Sequence, residues 1–192
     1  GTLAVTISGG GEPLCHPHLN RMIEAFLDKH IKVGLVSNGL LLGRLNGEIA
    51  ERMTWCRISG GDYRTRTTSE WDIIERSMAS QVDWSFSHVV SSDPNIPEIV
   101  RTVRYANEHN CTHVRLVGDL IAPECSRWDD VRDALSCFDD RVIYQPRKHF
   151  VPERSCLIGY IKPVVTADFR MYLCCGVQYA LNDQLGDFPD SL

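Results

Sequence analysis

The sequence predicts an α/β protein built on a parallel sheet. Three observations carry this. Six short apolar runs recur, their starts about 23 to 30 residues apart. Segments with helical spacing lie between them. The ends of the runs are rich in glycine and small polar residues. Strand–helix repeats of this length place parallel strands side by side through right-handed crossovers. The result is a doubly wound sheet or part of a βα barrel, and in both architectures ligands bind at the C-terminal ends of the strands.

The strands are expected at 3–8, 32–37 ("KVGLVS"), 55–59 ("WCRIS"), 83–90 ("DWSFSHVV"), 113–117 ("HVRLV") and 141–145 ("RVIYQ"). In 18–30, Leu19, Met22, Ile23 and Phe26 share one helical face. Val100, Val103 and Ala106 do so in 97–109, and Trp128, Val131, Leu135 and Phe138 in 127–138. Ser69 and Ser126 read as helix N-caps, and Pro17 and Pro97 suit a first helical turn. The repeat units are too dissimilar for a solenoid. After residue 145 the pattern breaks at Pro146, Pro152 and Pro163, so 1–145 is expected as the core and 146–192 as an appended segment with a hairpin.

The bulk numbers fit one core with a small appendage. The chain has 192 residues, 43% hydrophobic and 23% charged, in the ordinary range for a globular protein. A net charge of −5 disfavours a surface that coats nucleic acid. No apolar run reaches the roughly 20 residues needed to span a bilayer, and no secretory signal pattern is present. Eight cysteines in so apolar a chain suit a reduced, cytoplasmic protein better than a disulfide scaffold. The chain opens on Gly1 directly before a core strand and stops on "GDFPDSL", which leads to the expectation of a piece cut from a longer protein.

The strand ends read "SGGGEP", "SNG", "SGGD", "VSSDPN" and "VGD". At the first, Gly9, Gly10 and Gly11 free the backbone for close approach to a ligand, or simply make a tight turn. A dinucleotide fingerprint fails for want of a third glycine at the helix, and a phosphate loop fails for want of Gly-Lys-Ser/Thr. Glu12 among exposed backbone groups suits a cation such as an amine, or a solvated first-turn acid.

At this point the sequence resembles a family. "GGEPLCHP" looks like the Gly-Gly-Glu-Pro motif of radical S-adenosylmethionine (radical SAM) enzymes, which there follows the second strand of a partial (β/α)6 barrel and holds the SAM amino group. "GLVSNG" resembles the third-strand Thr-Asn-Gly, with Ser37 for threonine. "RISGGDY" is similar to the fourth-strand segment whose serine contacts SAM, here Ser59, although Gly61 precedes Asp62 where the family has the reverse order. Asn95 and Glu98-Ile99 match an Asn-x-x-Glu pattern after the fifth strand, and "HVRLVGD" resembles the sixth strand. The likeness covers roughly residues 3–120. It implies a partial (β/α)6 TIM-like barrel with parallel strands, its first βα unit missing, plus a small C-terminal hairpin extension. It also implies SAM held by Gly10, Gly11, Glu12, Pro13, Ser37, Asn38, Ser59 and Arg115.

The implied activity is reductive cleavage of SAM by a [4Fe–4S] cluster to a 5′-deoxyadenosyl radical, which takes hydrogen from a small molecule or peptide. The implied reductant is a ferredoxin or flavodoxin. The family's Cys-x-x-x-Cys-x-x-Cys is absent from the sequence, and cluster iron needs thiolates. The expectation is that this loop lies upstream and that the chain alone is inactive; a cluster-free SAM- or peptide-binding relative is the alternative. In the tail, "TADFRMYLCCG" and "LGDF" resemble the start of a SPASM-type auxiliary Fe–S domain. Cys156 and Cys174 are its implied ligands, with Asp168 at the matching spacing and Phe169 in place of glycine. A hairpin with two core cysteines is the plain alternative. Cys15, Cys56, Cys111 and Cys137 read as structural thiols. Cys15, His16 and His18 have poor zinc spacing. Arg64-Thr65-Arg66 reads as a solvated loop or an anion contact.

Overall fold

The computed structural model describes residues 1–61, 65–78, 82–119, 127–146, 162–166 and 170–172. Ser126, Asp62, Cys125, Cys156, Asp168, Phe169 and the Cys174–Cys175 pair lie outside these residues. The chain divides into two compact units, Gly1–Lys148 and His149–Leu192.

Six parallel strands form the sheet of the first unit: β1 (Ala4–Ile7), β2 (Lys32–Ser37), β3 (Trp55–Gly61), β4 (Asp83–Val90), β5 (His113–Gly118) and β6 (Val142–Gln145). Their spatial order is β1-β2-β3-β4-β5-β6, the order of the sequence. That order excludes a doubly wound sheet, in which the strand order reverses partway. With every crossover right-handed, a sequential order sends every connecting helix to the same face. The other face is left to line the inside of an open barrel.

The burial pattern records these two faces. Cys56 and Ile58 on β3, Trp84 and Phe86 on β4, and Val114 and Leu116 on β5 are buried and join one apolar core. Helices α1 (Leu19–Leu27), α2 (Gly47–Arg52), α3 (Thr68–Ser77), α4 (Ile96–Glu108) and α5 (Trp128–Ala134) supply Ile23, Ile49, Ile74, Ile99, Val103 and Val131 to it. The alternate residues form the inner face: Trp55, Arg57 and Ser59 on β3, Ser85 and Ser87 on β4, His113 and Arg115 on β5. In register they make rows, Arg57–Ser85–His113 and, one step nearer the C-terminal ends, Ser59–Ser87–Arg115.

The helix ends follow local chemistry. At α3 the cap is Thr67 and not Ser69: its hydroxyl accepts from Glu70 N, while the Glu70 side chain accepts from Thr67 N, a complete capping box. Asn95 caps α4, and Pro97 sits in its first turn as expected. Helix α2, capped by Asn46, was not foreseen, because its six residues hold only two buried apolar side chains. Met22 is 43% exposed, so the buried face of α1 is Leu19 and Ile23, with Phe26 and Leu27 partly covered. Cys56 and Cys111 are buried; Cys15 and Cys137 are exposed, which removes Cys137 from the core.

The described part of the second unit is an antiparallel pair, β7 (Val164–Val165) and β8 (Met171–Tyr172). Thr166 closes it, donating from both its amide and its hydroxyl to the Arg170 carbonyl.

Candidate functional site

The C-terminal ends of β1, β2 and β3 are tied together by side chains that reach across strands. Behind β1, Glu12 caps a short 3-10 turn (Pro13–Cys15), its Oε1 accepting from Leu14 N at 3.1 Å. The same Oε1 accepts from Ser37 Oγ at 2.8 Å, and Oε2 accepts from Asn38 N at 2.7 Å. One carboxylate thus takes three donors and fixes the loop of β1 to the end of β2. Carboxylates suit this work, since charge-assisted hydrogen bonds are shorter and stronger than neutral ones.

Ser37 is where alternation matters. It pairs in register with Ile58, which faces the helices, and it is only 1% exposed. Its hydroxyl donates to Glu12 and accepts from Gly39 N at 3.0 Å. Ser37 therefore does not line a pocket; it positions Glu12 and the turn after β2. That turn needs Gly39, whose φ is +87°, with Ile74 Cγ1 2.9 Å from where a Cβ would stand.

Arg66 makes the second tie. It is 7% exposed, and its guanidinium donates to the Asn38 carbonyl at 2.9 Å and the Ser59 carbonyl at 2.6 Å. Its own amide donates to Glu98 Oε1 at 3.3 Å, and its carbonyl accepts from Arg101 at 3.0 Å. Glu98 is 5% exposed in the first turn of α4, and Arg101 lies 3.9 Å from it. The Arg66 and Arg101 guanidiniums also lie 5.6 and 5.8 Å from the Trp71 ring centroid. The loop arginine expected in solvent is thus a buried clamp between β2 and β3. Glu98 takes the Arg66 backbone amide, while the guanidinium itself goes to the two carbonyls.

Between these ties a cavity of about 200 Å³ opens at the strand ends, lined by Asn38, Ser59, Gly60, Gly61, Arg66 and Glu98, with His88 and Leu40 completing it. Two expected site residues, Asn38 and Ser59, meet here. The Ser59 hydroxyl donates to the Ser37 carbonyl at 3.2 Å. Gly11 stands apart from packing: a Cβ there would meet nothing within 4 Å. Gly11 has an ordinary negative φ, so no turn geometry demands glycine at that position. Pro13 begins the short 3-10 turn and Gly10 lies beside Gly11. Arg115 does not join the cavity. It lies two strands from Ser59 on the inner face, where its Nε donates to Gln145 Oε1. Among the described residues no group of three or more His, Cys, Asp or Glu could hold a metal ion, so they supply no cluster ligand set.

No family model and no curated protein matches the sequence. Solved structures do. The chain superposes on SuiB from Streptococcus suis bound to its precursor peptide SuiA with a TM-score of 0.67, at 11% identity, covering 96% of this chain and 51% of that one. SuiB alone gives 0.63, also at 11% identity, with coverages of 96% and 52%. TYW1 with a lysine–pyruvate adduct bound gives 0.52 at 18% identity, covering 74% of this chain and 51% of that one. The chain therefore spans about half the length of these structures. The likeness to SuiB and TYW1 is one of fold: a parallel sheet in sequential order with helices packed against one face.

Proposed function

We propose that the chain forms most of a radical SAM core and binds SAM at the C-terminal ends of β1, β2 and β3. The observation that carries the proposal is the framed cavity: Asn38, Ser59 and Arg66 converge there beside the glycine loop, at the end of the sheet where ligands bind in parallel α/β folds. The residues fit parts of SAM by chemistry. Oε2 of Glu12, with one donor, keeps acceptor capacity for an ammonium group. The open backbone at Gly10 and Gly11 offers carbonyls to the same group. Asn38 and Ser59 offer hydrogen bonds to polar atoms, and Arg66 holds the backbone of both in place.

With a [4Fe–4S] cluster beside it, bound SAM would supply radical chemistry by reductive cleavage. The described residues do not fit the cluster itself, so their part is to bind and orient SAM. A peptide substrate is supported by the likeness to SuiB in complex with its precursor peptide. Cys156 and Cys174 remain the proposed ligands of an auxiliary Fe–S cluster, and a ferredoxin or flavodoxin the proposed reductant. The second reading, kept because the sequence given holds no Cys-x-x-x-Cys-x-x-Cys, is a SAM- or peptide-binding barrel that has lost the cluster.

Isothermal titration of the chain with SAM tests the proposal. Binding is expected, weakened about tenfold by Asn38→Ala, the loss of one to two hydrogen bonds. Absence of SAM binding in a folded chain overturns it. Anaerobic reconstitution with iron and sulfide is expected to yield no iron that cleaves SAM; SAM cleavage by this chain would overturn the assignment of the cluster loop to another segment.

A further inference from the structure

Among the described residues, the inner face of the sheet carries two guanidiniums with no carboxylate partner. Arg57 on β3 and Arg115 on β5 point into the same open side of the barrel, in adjacent rows. Arg57 Nε reaches Ser85 Oγ at 3.4 Å, and its guanidinium lies 5.1 Å from the Trp55 ring centroid. Arg115 Nε donates to Gln145. Among the described residues neither arginine makes an ion pair. Among the described residues, the hydrogen bonds of both guanidiniums run through Nε, and their terminal nitrogens have none.

The charges also act on one another. Burial lowers the pKa of Arg57, and Arg115 lowers it further. Burial, then Arg57, then Arg115 lower that of His113, which shares the row of Arg57. Like charges held together on a half-buried surface destabilise the fold unless a counter-charge arrives. A cavity of about 310 Å³ is lined by Arg57, His113, Trp55, Ser85, Thr112 and Asp83; Arg115 stands outside this lining, and its charge reaches Arg57 and His113 from the next row. Asp83 is exposed at the N-terminal mouth of the sheet. This cavity shares no lining residue with the one at the strand ends.

We infer that Arg57 and Arg115 form an oxyanion site inside the barrel, which takes a carboxylate or phosphate of the substrate. The planar fork of arginine matches either group through paired N–H···O bonds. Trp55 offers an apolar surface to the part of the ligand next to its charge. Arg57 and its cavity lie one row deeper than Ser59, toward the N-terminal ends, and Arg115 stands in the row of Ser59 without lining the strand-end cavity. That the ligand is a substrate rests on the radical SAM reading; that the site binds an oxyanion does not.

The test uses the full chain without SAM, with inorganic phosphate and with acetate as probes at constant ionic strength. Thermal melts read binding, since a ligand that prefers the folded state raises Tm. Phosphate or acetate is expected to raise Tm in the wild type. Arg57→Gln and Arg115→Gln are each expected to weaken the apparent affinity about tenfold or more, the loss of a charge-assisted pair. Arg104→Gln, on the exposed face of α4, is expected to leave it unchanged. In low salt without probe, Arg115→Gln is expected to melt no lower than the wild type, because it removes a repulsion; this variant keeps the test valid if Arg57→Gln folds poorly. The larger of the phosphate and acetate responses identifies the anion class. Equal responses in all four proteins would show adventitious anion binding and overturn the inference. Saturating SAM that abolishes the probe response would assign the arginines to SAM and overturn the substrate role. Loss of SAM binding with the probe response intact would count against the SAM reading alone.

Discussion

Glu12 and Asn38, 26 residues apart, meet at 2.7 Å, the carboxylate Oε2 accepting the backbone amide that follows β2. Through this contact the first strand end cannot move without the second. Glu12→Gln preserves shape but turns one acceptor oxygen into a donor. Either the Asn38 amide or the Ser37 and Leu14 donors then face an NH₂ group. The expected cost is about 1–3 kcal/mol of unfolding free energy. It should appear as a lower urea midpoint with an unchanged slope; an unchanged midpoint would mean that the carboxylate is not holding the loop.

Arg66 satisfies two carbonyls, of Asn38 and Ser59, with one planar group. Lysine has a single point charge and cannot reproduce the fork. Arg66→Lys is expected to destabilise by roughly 1–3 kcal/mol, one buried acceptor left without its donor. It should also weaken SAM binding, because the cavity wall loses its shape. Titration calorimetry beside denaturant melts separates the two effects. Wild-type affinity in the variant would remove Arg66 from the site.

The thiols divide by burial. Burial, with the Glu12 charge adding to it, pushes Cys56 up to about 12. Burial pushes Cys111 up to about 11, against the opposing pull of Arg141. Thiolate is the reactive form, so both should resist iodoacetamide at pH 8. The exposed Cys15 and Cys137 should react in the native protein. Peptide mass mapping in buffer and in urea reads the difference. Equal labelling of all four peptides in buffer would contradict the burial described above.

His113 contributes a defined pH dependence. Its pKa is lowered from 6.5 by burial and by Arg57 and Arg115. Below pH 6.5 the unfolded chain therefore binds a proton that the folded chain resists. Stability rises with pH wherever the unfolded state binds more protons. The contribution is present above pH 6.5 and is lost as pH falls through 6.5 toward the folded value. His113→Gln should flatten the slope of unfolding free energy between pH 7 and pH 5.5. A slope identical to the wild type would assign the dependence to other groups.

Strand positions were readable because apolar runs and their spacing are local properties. β2 and β4 occupy the expected residues, while β3 runs two residues further, through Gly60 and Gly61. The sequence also held the parity that buries Ser37. Val33, Leu35 and Ser37 alternate on one face, so a serine in that series points toward the helices. The motif placed Ser37 at a strand end, and nothing in a motif states which side it faces. Arg66 was opaque for a different reason. In "RTRTT" it looks like solvated charge, and only the fold brings Asn38, Ser59 and Glu98 around it. Convergence of groups 7 to 32 residues apart is a property of topology, which no window of sequence contains.

The cross-strand frame of Glu12, Ser37, Asn38, Ser59 and Arg66 also constrains how this protein can change. Each member satisfies a group that belongs to another strand end, so their substitutions are energetically coupled and do not add. A drift in one position lowers the fitness of its neighbours' residues until a partner changes with it. The three strand ends should therefore evolve, or be engineered, as a single block.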